Sequence, residues 1–220
     1  LNLFAQKIVE TEADTDVTML ELIKDGGLTM IPLFILSVIA IYIFIERFLA
    51  FRVASKAPEE FMPKINEMVA KQDIEGALSY SQQENSPLGR MMEKGLTRLG
   101  NPLKTIEDSI QNVGKMEVDR LEKNMTTLAT IAGAAPMLGF LGTVLGMIKT
   151  FQTIAGAANV GVSGMAGGIS EAMVTTATGL IVGIGAYIAY NFLTAKMQKI
   201  IHRLEHASIE FLDLLQEPQK

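Results

Sequence analysis

The sequence contains no cysteine, and it lacks the residue patterns that mark the common catalytic sites. Without cysteine there are no disulfides, thiolate metal sites or cysteine nucleophiles. The absence does not indicate the cellular compartment of the protein. The 19 basic residues are scattered along a chain of net charge −5, which indicates no nucleic-acid-binding patch. No phosphate-binding lysine motif, nucleophile–base pair or paired carboxylates are present. We therefore predict neither enzyme activity nor a cofactor.

Charged residues are also missing from three long stretches, 26–45, 124–148 and 172–195. Hydrophobic residues make up 49% of the chain, and its mean hydropathy of +0.29 is high for a soluble protein. A helix needs about 20 apolar residues to cross a bilayer. A signal peptide has a shorter apolar region, and a soluble core helix is rarely apolar on all sides for so long. These stretches predict an all-α membrane protein with three transmembrane helices.

The distribution of lysine and arginine predicts the orientation of these helices. Two basic residues precede the first span, twelve lie between the first and second, one lies between the second and third, and four follow. Cytoplasmic segments carry the excess of basic residues, so the N-terminus is predicted outside and the C-terminus inside. The predicted segments are a periplasmic tail with an amphipathic helix over 1–25, spans over 26–46, 124–150 and 171–195, a cytoplasmic helical domain over 47–123, a short periplasmic loop over 151–170, and a cytoplasmic C-terminal helix over 196–220. Because the chain begins at Leu1, we expect residues upstream, such as a cleaved targeting segment.

The cytoplasmic part is predicted to be helical throughout. Gln72-Asp73 and Ser86-Pro87 are helix-start signals that divide 59–99 into short helices. Apolar residues recur at helical spacing over 106–128 without a strong breaker, which predicts one helix continuing into the second span. A similar apolar stripe over 197–215 extends the third span. Such stripes need an apolar partner, either in a bundle within the chain or in another subunit.

His202 and His206 lie four residues apart, a spacing that metal-binding helices use. No cysteine, carboxylate or HExxH pattern accompanies them. We predict that both side chains face solvent and that they form no metal site.

The second and third spans each have one bulky side and one side of small and hydroxyl-bearing residues when plotted at about 100° per residue. The small side comprises Ala132, Ala135, Gly139, Gly142, Thr143, Gly146 and Thr150 in the second span, and Glu171, Ala172, Thr175, Thr176, Thr178, Gly179, Gly183 and Ala186 in the third. The first span has no small side, which favours a lipid-facing outer position.

Two interpretations of the small sides are open. Gly142 with Gly146, and Gly179 with Gly183, have the four-residue spacing that lets helices pack closely in lipid. Close packing explains the glycines but not the accumulation of threonines, which suits a surface that hydrogen-bonds water or a partner's carboxylate. The predicted packing residues are Gly139, Gly142, Gly146, Gly179 and Gly183.

Glu171 is an acidic residue at the edge of the third span, with no basic residue close to it in sequence. Charged groups near a bilayer usually face an aqueous path or a protein interior. Alternatively, Glu171 is a solvated acid at a helix N-terminus, where the helix dipole favours negative charge.

The spans resemble those of the MotA/TolQ/ExbB family. Residues 135–147, with the sequence APMLGFLGTVLGM and followed by Phe151, are similar to the family's second-span motif. Residues 168–180, with the sequence GISEAMVTTATGL, resemble the third-span motif, which ends at Tyr190-Asn191. The similarity covers about residues 20–215. One departure is Gly185, where many relatives have proline, and the local bend is expected to differ there.

The resemblance implies a subunit of a proton-driven motor in the bacterial inner membrane, most like ExbB. Such a subunit forms a homopentamer around two copies of a single-span partner of the ExbD/TolR type, whose span carries an aspartate, and works with a TonB-type protein. By motif position, Thr143 and Thr176 match threonines proposed to line the proton route, and Glu171 matches the family's third-span acid. The predicted pore-lining set is Thr143, Thr176, Glu171, Thr175 and Thr178.

Other functions remain open at this stage. A TolQ-type subunit of the Tol-Pal system fits the same motifs, whereas the flagellar type usually has four spans and a larger cytoplasmic domain. A passive membrane scaffold would use the small sides for packing alone. A small secondary transporter is disfavoured because no inverted repeat or pair of broken helices is visible.

Overall fold

The computed structural model describes residues 27–56, 58, 60–156 and 162–216, without the side chains of 162–165. These residues form helices joined by short connections, and they contain no strand. The predicted tail over 1–25 and residues 157–161 of the predicted loop lie outside this part. The helices are α1 (Met30–Ala54), α2 (Phe61–Ala70), α3 (Ile74–Gln83), α4 (Pro87–Leu96), α5 (Leu103–Glu122), α6 (Met125–Gly156) and α7 (Val162–Gln216).

Three of the helical stretches are long and apolar enough to cross a membrane, as the sequence predicts. They are α1, the stretch that ends with α6, and the greater part of α7. The helices extend beyond the predicted spans. Of the predicted loop over 151–170, the described residues belong to α6 up to Gly156 and to α7 from Val162.

The chain forms two compact units, whose boundaries fall inside α1, α6 and α7. One unit is drawn from Leu1–Val38 and Ile131–Gly185, and it contains the residues with small side chains on α6 and α7. The other is drawn from Ile39–Thr130 and Ala186–Lys220, and it contains the short helices.

The helix-start signals in the second unit act as predicted. The Asp73 carboxylate accepts a hydrogen bond from the Gly76 backbone N–H at 3.0 Å and caps α3. The Ser86 hydroxyl accepts one from the Gly89 N–H at 3.2 Å, and Pro87 occupies the first turn of α4. Both caps satisfy backbone donors that the first turn of a helix leaves unpaired.

The prediction of one continuous helix from 106 into the second span is wrong, because α5 ends at Glu122 and α6 begins at Met125. Asn124 adopts a left-handed conformation with φ 63°, which asparagine tolerates better than most residues. Its side-chain amide donates to the Glu46 carboxylate of α1 at 3.0 Å. The neighbouring Arg47 donates to the Arg120 carbonyl of α5 at 2.9 Å and so satisfies an acceptor at the helix end.

The apolar stripe of α7 is packed within the chain. A Cβ atom added to Gly95 of α4 would lie 2.8 Å from Ile110 of α5 and 2.9 Å from Phe211 of α7. Ile110 and Phe211 are both fully buried. These contacts confirm a helical bundle inside the protomer.

The predicted exposure of His202 and His206 is also confirmed, and their rings lie beside Glu205 and Glu210.

Glu117 of α5 is a buried carboxylate held by two arginines. It is 4% exposed and forms ion pairs with Arg90 of α4 at 2.6 Å and with Arg120 at 2.7 Å. The hydrogen bond to Glu117 raises the pKa of Arg90, against the opposing effect of burial. The cluster therefore joins α4 to α5 through a buried carboxylate that is paired with two arginines.

We expect Arg90→Met to destabilise the second unit by about 1–2 kcal/mol, since it leaves Glu117 with one arginine. This loss is smaller than that expected for breaking a fully buried ion pair, because the Arg90 side chain is 36% exposed and solvent partly screens its charge. The matched control is Lys71→Met, which breaks the exposed Lys71–Glu67 pair and should leave stability unchanged. Thermal unfolding of both variants in detergent measures the difference, and equal midpoints would contradict it.

Candidate functional site

The backbones of α6 and α7 approach closely in the first unit, and they run in opposite directions. A Cβ atom added to Gly179 would lie 2.6 Å from the Ala135 carbonyl oxygen and 2.8 Å from the Cα of Gly139. One added to Gly139 would lie 3.1 Å from the Cα of Gly179. A Cβ atom at Gly179 would clash with backbone, so this position requires glycine, whereas a Cβ atom at Gly139 would require the facing backbone to shift by a few tenths of an ångström.

The other predicted packing glycines lie along the same contact. A Cβ atom on Gly142 would meet the Thr175 side chain at 2.7 Å, and one on Gly146 would meet Ala172 at 3.0 Å. At Gly183 an added Cβ would clash with the ring of Pro136, the proline inside α6. The structure therefore brings all five predicted packing glycines into one helix–helix contact.

Thr143 of α6 and Thr176 of α7 meet within this contact. Their hydroxyl groups are hydrogen-bonded to each other. The Thr143 hydroxyl also donates toward the Ala172 carbonyl at 3.2 Å, and the Thr176 hydroxyl lies 3.1 Å from the Gly139 carbonyl. Both side chains are half-buried. The two threonines form a small hydroxyl cluster between two stretches of backbone from different helices.

Thr175 and Thr178 have different surroundings, although they lie near Thr176 in sequence. Thr175 is fully buried against Gly142, and its hydroxyl donates to the Glu171 carbonyl of its own helix at 2.5 Å. The Thr178 hydroxyl donates to the Val174 carbonyl, also in its own helix, at 2.9 Å. Such bonds satisfy the hydroxyl locally. Among the four threonines, only Thr143 and Thr176 bond across the two helices.

Glu171 forms an ion pair that sequence reasoning missed. Its carboxylate lies 3.0 Å from the Lys149 amine of α6, and its side chain is 23% exposed. The other carboxylate oxygen lies close to Gly27, which has φ 63°. Lys149 is distant from Glu171 in sequence, but the glycine motifs of the two helices indicate the register that brings the two residues together. Placing Gly146 opposite Ala172 in an antiparallel pair also places Lys149 beside Glu171.

The bulky residues of α6 and α7 lie away from this contact and are exposed in the single chain. They include Met137, Phe140, Leu141, Val144, Leu145, Ile148, Met173, Leu180, Ile181, Ile184 and Ile188. On α1, Met30 and Leu33 pack against Ala135, while most of the large apolar residues are exposed. These exposed apolar surfaces suit lipid or further membrane helices.

The chemistry available at the α6–α7 contact is hydrogen bonding rather than acid–base catalysis. A threonine hydroxyl donates one hydrogen bond and can accept two, and it does not titrate near neutral pH. Glu171 and Lys149 are ionisable but neutralise each other at one end of the contact. Within the described residues, no group of three or more histidine, cysteine or acidic side chains is placed to hold a metal.

These features define a multi-span membrane protein with a hydroxyl cluster between two closely packed helices. The sequence profile of the MotA/TolQ/ExbB proton channel family matches residues 83–206, and the chain belongs to that family. It is accordingly a multi-pass protein of the inner membrane. The match covers α4 to α6 and α7 as far as residue 206, and it includes both threonines of the cluster.

Individual relatives include both ExbB and TolQ proteins. An ExbB homologue from Methanothermobacter thermautotrophicus is 29% identical over 192 residues, which cover 86% of this chain and 67% of the relative. TolQ of the Tol-Pal system from Haemophilus influenzae is 35% identical over 99 residues, covering 45% of this chain and 43% of its own. The biopolymer transport protein ExbB of Neisseria meningitidis is 40% identical over 84 residues, or 38% of each chain.

We expect Gly179→Ala to destabilise the α6–α7 contact by about 1–3 kcal/mol, because the new methyl group would meet rigid backbone rather than a movable side chain. The control is Gly185→Ala on the same helix, where an added Cβ meets nothing within 4 Å. Alanine there should be neutral or slightly stabilising, since it favours the helix. Thermal unfolding in detergent distinguishes the two variants, and a Gly185→Ala variant as unstable as Gly179→Ala would argue against the contact.

Proposed function

We propose that this chain is the channel-forming stator subunit of a proton-driven motor. With a single-span partner of the ExbD/TolR type, it converts proton motive force into mechanical work for TonB-dependent outer-membrane transport. The observation that carries the proposal is the Thr143–Thr176 hydroxyl cluster between the packed backbones of α6 and α7. The membership of the chain in a proton channel family supports the same assignment.

The hydroxyl cluster supplies hydrogen bonds, and the partner supplies the group that titrates. An aspartate in the partner's span has a raised pKa when it is desolvated and a lower pKa when hydroxyl groups or water bond to its charged form. Thr143 and Thr176 are half-buried, so part of each side chain is accessible beside the helix contact. The aspartate then changes its protonation state as it passes successive copies of the cluster, in a homopentamer around two partner chains.

The orientation belongs to the same proposal. The excess of lysine and arginine between the first and second spans supports a cytoplasmic position for the bundle of short helices. The ion pair between Lys149 and Glu171 then lies at the periplasmic ends of α6 and α7. Paired charges of this kind tolerate a membrane boundary better than a single charge does.

The alternative is a TolQ-type role in the Tol-Pal system, which would use the same site. It stays open because the relatives of this chain include both ExbB and TolQ proteins. A passive scaffold is the candidate from another class. It is favoured by the fact that each hydroxyl of the cluster already has a partner within the chain. The two classes differ in whether removing a hydroxyl group changes function when the fold is kept.

We expect Thr176→Val to lower proton flux about ten- to hundredfold, as expected for loss of a hydrogen bond to a charged group. Thr176→Ser keeps the hydroxyl and should retain most of the flux. The control Thr130→Val on α6 removes a hydroxyl that bonds only within its own helix, to the Thr126 carbonyl. Flux is measured with a pH-sensitive dye in liposomes that contain the chain and its ExbD-type partner.

The double variant Thr143→Val/Thr176→Val should lose little more flux than either single variant, because the two hydroxyls act as one bonded unit. Assembly of every variant is checked by size-exclusion chromatography. If Thr176→Val conducts like the unmodified chain, the hydroxyl mechanism is wrong and the scaffold is favoured.

Native mass spectrometry of the purified complex is expected to show five copies of the chain with two copies of the partner. The exposed apolar residues of α6 and α7 provide the surface for this assembly. A stable monomer in mild detergent would contradict the channel proposal independently of the flux measurements.

A further inference from the structure

A mainly apolar groove lies between α5 and α7 and is open to the outside of the chain. It has a volume of about 560 Å³ and lies within the second unit. Ile209 of α7 is 61% exposed there, and it stands well beyond the charge-free stretch that ends at Ala195, so lipid does not cover it. Exposed apolar surface in such a position is typical of a site that another protein segment covers. The apolar lining consists of Met91, Val118, Ile201, Leu204, Ile209 and Leu212.

The charged residues that line the groove are mostly acidic. Among the described residues of the lining, Glu107 and Asp119 of α5 and Glu205 of α7 are acidic, whereas Lys115 is basic. Surfaces that bind each other specifically have charges of opposite sign facing one another. The groove therefore fits an apolar segment that carries positive charges.

The C-terminal end of α1 has a surface of this complementary kind. Leu49, Arg52, Val53 and Lys56 lie within an arc of about 100° when plotted as a helix. Leu49 and Val53 are 55% and 49% exposed, and both basic residues are exposed as well. We call these four residues the α1 stripe. It belongs to the second unit, as the groove does.

The charges of the two surfaces lie at similar distances from the charge-free stretches over 26–45, 124–148 and 172–195. With the rise of a helix, Arg52 and Lys56 lie about 11 and 17 Å beyond the end of the first stretch. Asp119 lies about 8 Å before the second stretch, and Glu205 lies about 15 Å beyond the third. On the orientation proposed above, all four are on the cytoplasmic side. Arg52 is therefore at the level of Asp119, and Lys56 is at the level of Glu205.

The groove and the α1 stripe do not meet within one chain. The stripe is exposed there, and the described lining of the groove includes no residue of α1. A contact between them therefore joins two copies of the chain. Two different surfaces that fit each other form a heterologous contact, which generates a ring when the rotation closes. A ring of five needs a contact of this kind, because a self-complementary surface joins subunits only in pairs.

We propose that the groove binds the α1 stripe of a neighbouring copy of the chain. Val53 packs against Ile201 of the groove. Arg52 pairs with Asp119, and Lys56 pairs with Glu205. The inference rests on the homo-oligomer of the proposed function, and it adds the contact that joins the second units of adjacent subunits.

Disulfide cross-linking tests this contact, and the lack of native cysteine makes an engineered pair specific. Two full-length chains with different tags, one with Val53→Cys and one with Ile201→Cys, are co-expressed with the ExbD-type partner, and the membranes are oxidised. We expect a dimer that carries both tags. The control replaces Ile201→Cys by His206→Cys, at an exposed position of α7 outside the groove. It should give about tenfold less dimer, because a disulfide needs Cα atoms within about 7 Å. No dimer, or equal yields from both pairs, refutes the contact.

Native mass spectrometry of the same preparations separates this inference from the proposed function. Five copies of the chain without the cross-linked dimer refute the contact alone, whereas a monomer refutes both. Maleimide labelling of Ile201→Cys tests whether the ExbD-type partner is the occupant instead. We expect slow labelling in the chain purified without that partner. Protection that appears only when the partner is present would assign the groove to the partner and overturn the proposal.

The charge reversal Arg52→Glu/Lys56→Glu should lower the yield of the cross-linked dimer about tenfold, because two attractive pairs become repulsive. Adding Asp119→Lys/Glu205→Lys to the same chain should restore the yield. The control Arg98→Glu/Lys104→Glu reverses the same two kinds of charge outside the groove and should leave the yield unchanged. Equal yields from the reversal and the control would refute the proposal. If the reversed chain does not fold, Lys56→Gln, expected to lower the yield about threefold, decides the question, and an unchanged yield again refutes the proposal.

Discussion

The close approach of α6 and α7 is the constraint on which the other features of the candidate site depend. Lipid provides no hydrophobic force that drives one membrane helix onto another, so their association depends on contact area and hydrogen bonds. Gly139 and Gly179 supply that area by letting backbone touch backbone. At this distance a threonine on one helix reaches a carbonyl oxygen on the other. A larger residue at Gly179 would push the two backbones apart and separate the groups that form the cluster.

The same contact separates two roles that threonine plays in this chain. Thr175 fills the space beside Gly142 and satisfies its hydroxyl within α7, so it serves packing. Thr143 and Thr176 bond across the helices and remain partly accessible. The small helix sides therefore serve both packing and hydrogen bonding, and different residues of the same surface perform each.

Much of this arrangement was predictable because it follows from local rules. The small helix sides follow from the helical repeat, and the short helices follow from capping residues such as Asp73 and Ser86. The break before α6 was not predictable in this way. Asn124 carries no strong breaker signal, and its conformation is accompanied by a hydrogen bond to Glu46, which is distant in sequence. The pairing of Lys149 with Glu171 requires the register of two helices, which follows from the small-residue motifs of α6 and α7 only when the two segments are considered together.

The composition of the α6–α7 contact also affects how it responds to temperature. Glycine, alanine and threonine have short side chains, so few rotamers are lost when the helices pair. Separating the helices within a membrane would expose backbone and methyl groups to lipid rather than to water. The large heat-capacity change that accompanies exposure of a soluble protein's core arises from hydration of apolar surface, and it has no counterpart here. The strength of this helix pairing should therefore vary little between cold and warm growth conditions.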